Sequence, residues 1–175
     1  GDFYATLTAD NVTVKSENGG GAILTGSAGF KITGGNNTID GFDFDGATAN
    51  ALCGGGYFID CQGSYNTLTN LFFNQIDNGS HTHLTMVLFR SYSHHSSVKK
   101  CWFIRTTQHS RCIYGDLKEV GSPGETGQHT VDSCYFTGPR QAAGLNGQSA
   151  VRFGSGFKVS GMNGNNIITN NLFEE

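Results

Sequence analysis

Between Cys134 and Gly156 the chain reads CYFTGPRQAAGLNGQSAVRFGSG, which gathers Arg140, Asn146, Gln148 and Arg152 into one glycine-punctuated polar stretch. A polar loop of this kind, carried on a rigid scaffold, is where a binding groove is built. The plainer reading is a connecting loop whose two arginines are solvated. Two histidine pairs, His81 with His83 and His94 with His95, are candidate chelators of a transition metal, but neither has a third ligand at a telling spacing. His109 and Cys112 form an H-x-x-C pair with no partner pair nearby, which argues against zinc. Lys99 and Lys100, and the carboxylates Asp40, Asp43 and Asp45, read as solvated surface charges. The sequence contains no repeated acidic cluster suited to paired-carboxylate hydrolysis, and no Ser or Cys nucleophile beside an evident base. No catalytic residue is assigned within the chain.

The scaffold that must hold these groups is legible in composition. Of 175 residues, 26 are glycine and only 2 are proline, with abundant Asn, Thr and Ser, so tight turns between short strands are expected. No long run carries the three-to-four-residue apolar period of a helix. The class is all-β. A net charge of −3 gives no general attraction to nucleic acid or other acidic polymers, so an anion site must be assembled locally from a few Lys and Arg. No stretch is apolar for long enough to span a membrane. The opening GDFYATL does not read as a signal peptide. Five cysteines, none in a C-x-x-C pair, argue against a full disulfide framework; Cys53 and Cys61 are the pair with a candidate bridge, across the loop CGGGYFIDC.

Five stretches repeat one eight-residue pattern: NTIDGFDF from Asn37, NTLTNLFF from Asn66, SSVKKCWF from Ser96, HTVDSCYF from His129 and NIITNNLF from Asn166. Their starts lie 29, 30, 33 and 37 residues apart, the signature of a solenoid. NVTVKS, around Val12 and Val14, reads as an imperfect earlier copy. Position three is Ile, Leu or Val, position eight is always Phe, and position six is mostly apolar or small. Positions six and eight share a strand face by simple alternation; position three joins them only if the chain bends at position five. That position holds Gly41, Asn70, Lys100, Ser133 and Asn170, of which the Gly and Asn residues adopt a left-handed backbone cheaply. Strand, one-residue left-handed corner, strand is the cross-section of a right-handed, single-stranded parallel β-helix. An internal Phe ladder and Asn bonding along the axis at the stacked corners are expected. GGAILTG, FKITG, MVLFRS, RCIYGD and AVRFGSG are the strand candidates for the remaining wall. A propeller needs longer blades, and a sandwich does not repeat one residue type in register. Residues 1–175 read as one β-helix domain, expected to be incomplete at its C-terminal end.

Taken in order, NNTIDGFDFDG, HTVDSCYFTGPR, NGQSAVRFGSG and NNIITNNLFEE resemble polysaccharide lyase family six, the chondroitinase B and alginate lyase family. The resemblance implies a parallel β-helix that cleaves uronate-containing polysaccharide by β-elimination, with calcium neutralising the uronate carboxylate, a Lys as base and an Arg as acid. It implies that Asn146 is a calcium ligand and that Arg140 and Arg152 bind substrate, although Arg152, in a strand-like run, suits a structural role equally. After NGG the family often has an acidic residue; this chain has Gln148 and Ser149. The family's two Glu ligands, its Lys and its Arg would all fall beyond Glu175. The resemblance further implies a secreted or periplasmic protein whose partner is an acidic polysaccharide. The rival expectation is a non-catalytic β-helix that binds glycan or stacks end to end with other chains through an uncapped end. A weaker one is a hydrolytic β-helix of the pectinase or tailspike kind.

Overall fold

The structure is a computed structural model and describes residues 2–17, 21–49, 56–74, 84–90, 93–104, 110–115, 127–137, 149–153 and 165–174. These residues form strands and no helix; in particular, none of them lies in a helix long and apolar enough to cross a membrane. The strands stack into three sheets whose pairings are all parallel. Wall one comprises Phe3–Leu7, Ser27–Ile32, Tyr57–Cys61, Leu84–Phe89, Ser110–Gly115 and Ser149–Phe153, with Thr48–Ala49 pairing on the second of these. Wall two comprises Thr13–Lys15, Thr38–Asp40, Thr67–Thr69, Ser97–Lys99, Thr130–Asp132 and Ile167–Thr169. Wall three comprises Ala22–Leu24, Phe42–Asp45, Phe72–Asn74, Trp102–Ile104, Tyr135–Thr137 and Leu172–Glu174. The chain visits one, two and three in turn and begins again, so the fold is the expected parallel β-solenoid.

The corner at position five is left-handed on every copy: φ is 79° at Gly41, 51° at Asn70, 52° at Lys100, 54° at Ser133 and 54° at Asn170. Lys100 and Ser133 hold this backbone without the ease of Gly or Asn, so stacking overrides local preference there. The bend turns position three inward with positions six and eight. Ile39, Leu68, Val98 and Val131 are buried in one column; Phe44, Phe73, Phe103 and Phe136 are buried in another. The Phe rings stack face to face, with centroids 4.7 Å apart for Phe44–Phe73, 5.1 Å for Phe73–Phe103 and 4.9 Å for Phe103–Phe136. Each fully buried ring contributes about 1.5–3 kcal/mol by leaving water.

A second left-handed column, not anticipated, precedes position one: Asn11, Asn36, Tyr65, His95 and Gln128 have φ between 54° and 61°. The turn beside it is tight, since a Cβ on Gly63 would lie 1.9 Å from the Gly34 carbonyl oxygen. Position one itself forms a polar ladder. The backbone N–H of Val12 donates to Asn37 Oδ1 (2.7 Å), that of Asn37 to Asn66 Oδ1 (2.8 Å), that of Asn66 to Ser96 Oγ (3.1 Å), that of Ser96 to His129 Nδ1 (3.3 Å), and that of His129 to Asn166 Oδ1 (2.8 Å). Each copy thus supplies the acceptor for a backbone donor one rung earlier, which a buried polar backbone requires. At the position-five corners Asn bonds along the axis to Asp instead: Asn70 Nδ2 to Asp40 Oδ1 (2.7 Å) and Asn170 Nδ2 to Asp132 Oδ1 (2.9 Å).

Three local expectations are corrected. Ala22–Leu24, inside GGAILTG, belongs to wall three, where Leu24 pairs with Phe44; it is the position-eight strand of the imperfect first copy. That copy is genuine, because Val14 pairs with Ile39. Tyr57–Cys61, inside the CGGGYFIDC span of the candidate bridge and absent from the expected strands, is a wall-one strand. Cys61 is a free, buried thiol, as are Cys101, Cys112 and Cys134, while Cys53 lies outside the described residues.

Candidate anion-binding face

Wall one carries the charged groups that the repeat does not use. In Ser27–Ile32, Phe30 and Ile32 are fully buried and alternation turns Lys31, between them, outward. Asp60 pairs with Lys31, Leu88 with Asp60, Tyr114 with Leu88, and Arg152 with Tyr114, so one column holds Lys31, Asp60, Leu88, Tyr114 and Arg152. Three residues earlier in each strand, Tyr57, Thr85, Arg111 and Ser149 form a parallel column.

Asp60 is only 2 % exposed, and a buried carboxylate must be paired. Arg90, immediately after Leu84–Phe89, supplies the pair: Nε lies 2.7 Å from Oδ1 and Nη2 3.3 Å from Oδ2. Gln62 Nε2 donates to the second oxygen at 2.9 Å. The Arg90 guanidinium also lies over the Tyr57 ring, 5.0 Å from its centroid. Arg111 covers Tyr114 in the same way at 4.4 Å. Among the described residues Arg111, unlike Arg90, has no carboxylate partner, so its guanidinium edge is suited to meet a carboxylate or sulfate in a bidentate fashion. This face therefore has one arginine committed to the fold through Asp60 and one, Arg111, seated on an aromatic ring.

Of the residues singled out in the sequence, Arg152 is placed by its backbone beside Tyr114. Its side chain lies outside the described residues, as do Arg140 and Asn146 in full. Among the described residues no group of three or more His, Cys, Asp or Glu is positioned to hold a metal ion. His81, His83 and His109 also lie outside the description. The Cys112 thiol is buried and pushed up to about 12 by desolvation, unsuited to ligation as a thiolate. His94 and His95 meet through their Nδ1 atoms at 2.8 Å, with His95 stacked on Tyr65 at 4.9 Å. Lys99 and Lys100 are exposed as expected. Arg111, Tyr114 and the Asp60–Arg90 pair were not singled out from sequence. Laying MVLFRS, RCIYGD and AVRFGSG in register, as the eight-residue copies were, would have aligned Tyr114 with Arg152.

The strands define the class: a parallel β-solenoid with a cationic and aromatic patch on one wall. The Chondroitinase B family model matches residues 5–175, and the chain belongs to that family, within polysaccharide lyase family six. It is a polysaccharide-lyase-like β-helix. Neither a curated protein nor a solved structure matches the chain.

Proposed function

We propose that this chain forms the substrate-binding part of a lyase that cleaves a uronate-containing polysaccharide, alginate or glycosaminoglycan, by β-elimination. The observation that carries this reading is the family match from residue 5 to residue 175. In the reaction a base removes the proton on C5, the electron pair forms the C4=C5 double bond, the C4–O bond breaks, and the departing oxygen takes up a proton. The C5 proton becomes removable only when the neighbouring carboxylate is neutralised. Arg111, seated on Tyr114, is suited to hold that carboxylate or a neighbouring acidic group, and Arg152, whose backbone pairs with Tyr114 on the adjacent strand, keeps with Arg140 the substrate-binding role that the family resemblance gives them. The family resemblance gives the base role to a Lys and the acid role to an Arg, and neither role is assigned to a residue of this chain. The family resemblance makes Asn146 a calcium ligand, and calcium held there would neutralise the uronate carboxylate. A secreted or periplasmic location follows from the same reading.

The test is to incubate the natural full-length protein with chondroitin sulfate, dermatan sulfate and alginate, and to follow ultraviolet absorbance from unsaturated uronate ends. Arg111→Ala and Arg152→Ala are each expected to lower kcat/KM by about ten- to a hundredfold, the size of a lost charged hydrogen bond. Cleavage that yields only saturated ends would overturn the lyase reading in favour of hydrolysis. No cleavage at all would favour the second reading, a non-catalytic β-helix that binds glycan or stacks end to end. A single monomeric species across a concentration series would remove the stacking version.

A further inference from the structure

Wall three has an outward column of its own. Ile23, Asp43, Phe72, Trp102, Tyr135 and Leu172 are in register from strand to strand, while their neighbours Phe44, Phe73 and Phe103 fill the core. Trp102 is 52 % exposed, and its ring lies 5.9 Å from Phe72 and 5.8 Å from Tyr135, centroid to centroid. The three rings make a continuous aromatic strip along the solenoid axis, one ring per rung. Beside it lies a groove of about 600 Å³, lined among others by Asp43, Asn70, Phe72, Lys100 and Trp102.

Two features of this groove call for a ligand that is both apolar and polar. Asp43 lines the groove, and among the described residues its Oδ1 has no hydrogen-bond partner, which leaves the carboxyl with acceptor capacity for an incoming hydroxyl. The carboxyl is held above its ordinary range, by burial first and by the charge of Asp45 second. Lys100 stands on the corner at the other side, an ammonium beside the aromatic strip. An apolar partner would cover the rings and leave Asp43 unsatisfied. A nucleic acid would bring a phosphate on every unit to a site lined by Asp43, and a homopolymer of uronates would bring a carboxylate on every sugar. A pyranose chain with a charge on alternate sugars meets all the conditions. Its C–H face, the positive partner, lies on the negative face of an aromatic ring.

We propose that this groove is a second glycan site, separate from wall one, which binds an alternating N-acetylhexosamine–uronate chain. The neutral ring stacks on Trp102 and Phe72, one of its hydroxyls donates to Asp43, and the next uronate carboxylate pairs with Lys100. The inference rests on the proposed function for the class of polymer, and its test separates the two.

Trp102 is the sole tryptophan of the chain, so its fluorescence reports on this groove alone. Titrating the full chain with a chondroitin sulfate octasaccharide is expected to give a saturable change in Trp102 emission, with alginate octasaccharide at least about tenfold weaker. Asp43→Ala and Lys100→Ala, checked for folding by thermal melting, are each expected to weaken the response several-fold. Trp102→Ala, followed by calorimetry, is expected to lose about tenfold or more in affinity. Arg111→Ala on wall one should leave the Trp102 response unchanged. Emission that stays fixed through saturation, an equal response to alginate, or a response abolished by Arg111→Ala each overturns the proposal. Assaying unsaturated product with the natural full-length protein separates the readings: product without a Trp102 response sinks this site and spares the lyase, and a response without product does the reverse.

Discussion

Two columns run the length of the solenoid, and they hold it together by opposite means. At position eight, Phe44, Phe73, Phe103 and Phe136 repeat one side chain and gain by identity, since equal rings one rung apart stack face to face. At position one, three Asn (Asn37, Asn66, Asn166), a Ser (Ser96) and a His (His129) differ in side chain, yet each presents an acceptor to the backbone N–H one rung before. The apolar column requires shape, and the polar column requires only a lone pair in the right place. Parallel stacking tolerates chemical variety at position one for that reason, and tolerates almost none at position eight.

The comparison is broken most severely in the Phe column. Phe103 lies between Phe73 at 5.1 Å and Phe136 at 4.9 Å, with no exposed surface. Phe103→Ala removes both stacks and leaves a cavity, an expected loss of about 3–5 kcal/mol. Chemical denaturation, read as a lower midpoint at unchanged slope, measures it.

His129 is where the polar column meets the aromatic side chains of wall one, because its ring stacks on Phe89 at 4.2 Å and Phe153 at 5.9 Å while Nδ1 accepts the Ser96 N–H. Burial above all, with His94 and His95 adding, lowers its pKa to about 4. The folded state therefore binds this proton less readily than the unfolded chain, whose histidine titrates near its ordinary value. The stabilisation is complete above about pH 6.5 and is lost as pH falls toward about 4, a total on the order of 3 kcal/mol. His129→Asn keeps an acceptor at the position where Asn37, Asn66 and Asn166 already supply one. Melting curves of the two proteins between pH 7 and pH 4.5 should diverge, with the wild type losing more; parallel curves would remove His129 as the source.

The smallest effect is expected within the polar column itself. Asn66 accepts from the Asn37 N–H and donates through Nδ2 to the Gly34 carbonyl at 3.2 Å. Asn66→Ala orphans both groups, an expected cost of about 1–3 kcal/mol by denaturation. Asn66→Ser, which retains an oxygen as Ser96 does, should recover part of it. If alanine and serine behave alike, the acceptor is not what position one contributes.

The columns differ in legibility for the same reason that they differ in tolerance. Position eight announces itself because only Phe appears there. Position five was readable as a corner from Gly41, Asn70 and Asn170, and the structure extends it to Lys100 and Ser133. The position-one residues begin every copy, yet their role was invisible, because Asn, Ser and His share only an acceptor atom and its partner lies in the neighbouring rung. Tyr57–Cys61 was missed as a strand because CGGG before it reads locally as a turn. At the candidate face, Arg152 was named from its motif, while Arg111 and Tyr114 carried no motif and emerged only from strand register.

The sequence by itself determined the period, the inward columns and the left-handed corners, because each depends on residues within one eight-residue copy. Only the tertiary structure decided that Asp60 is paired with Arg90, that Arg111 sits on Tyr114 and that Trp102 turns out between Phe72 and Tyr135. Register across parallel strands fixes the neighbours of Asp60 and Trp102, some thirty residues away in sequence, and no local pattern encodes which outward side chains will meet.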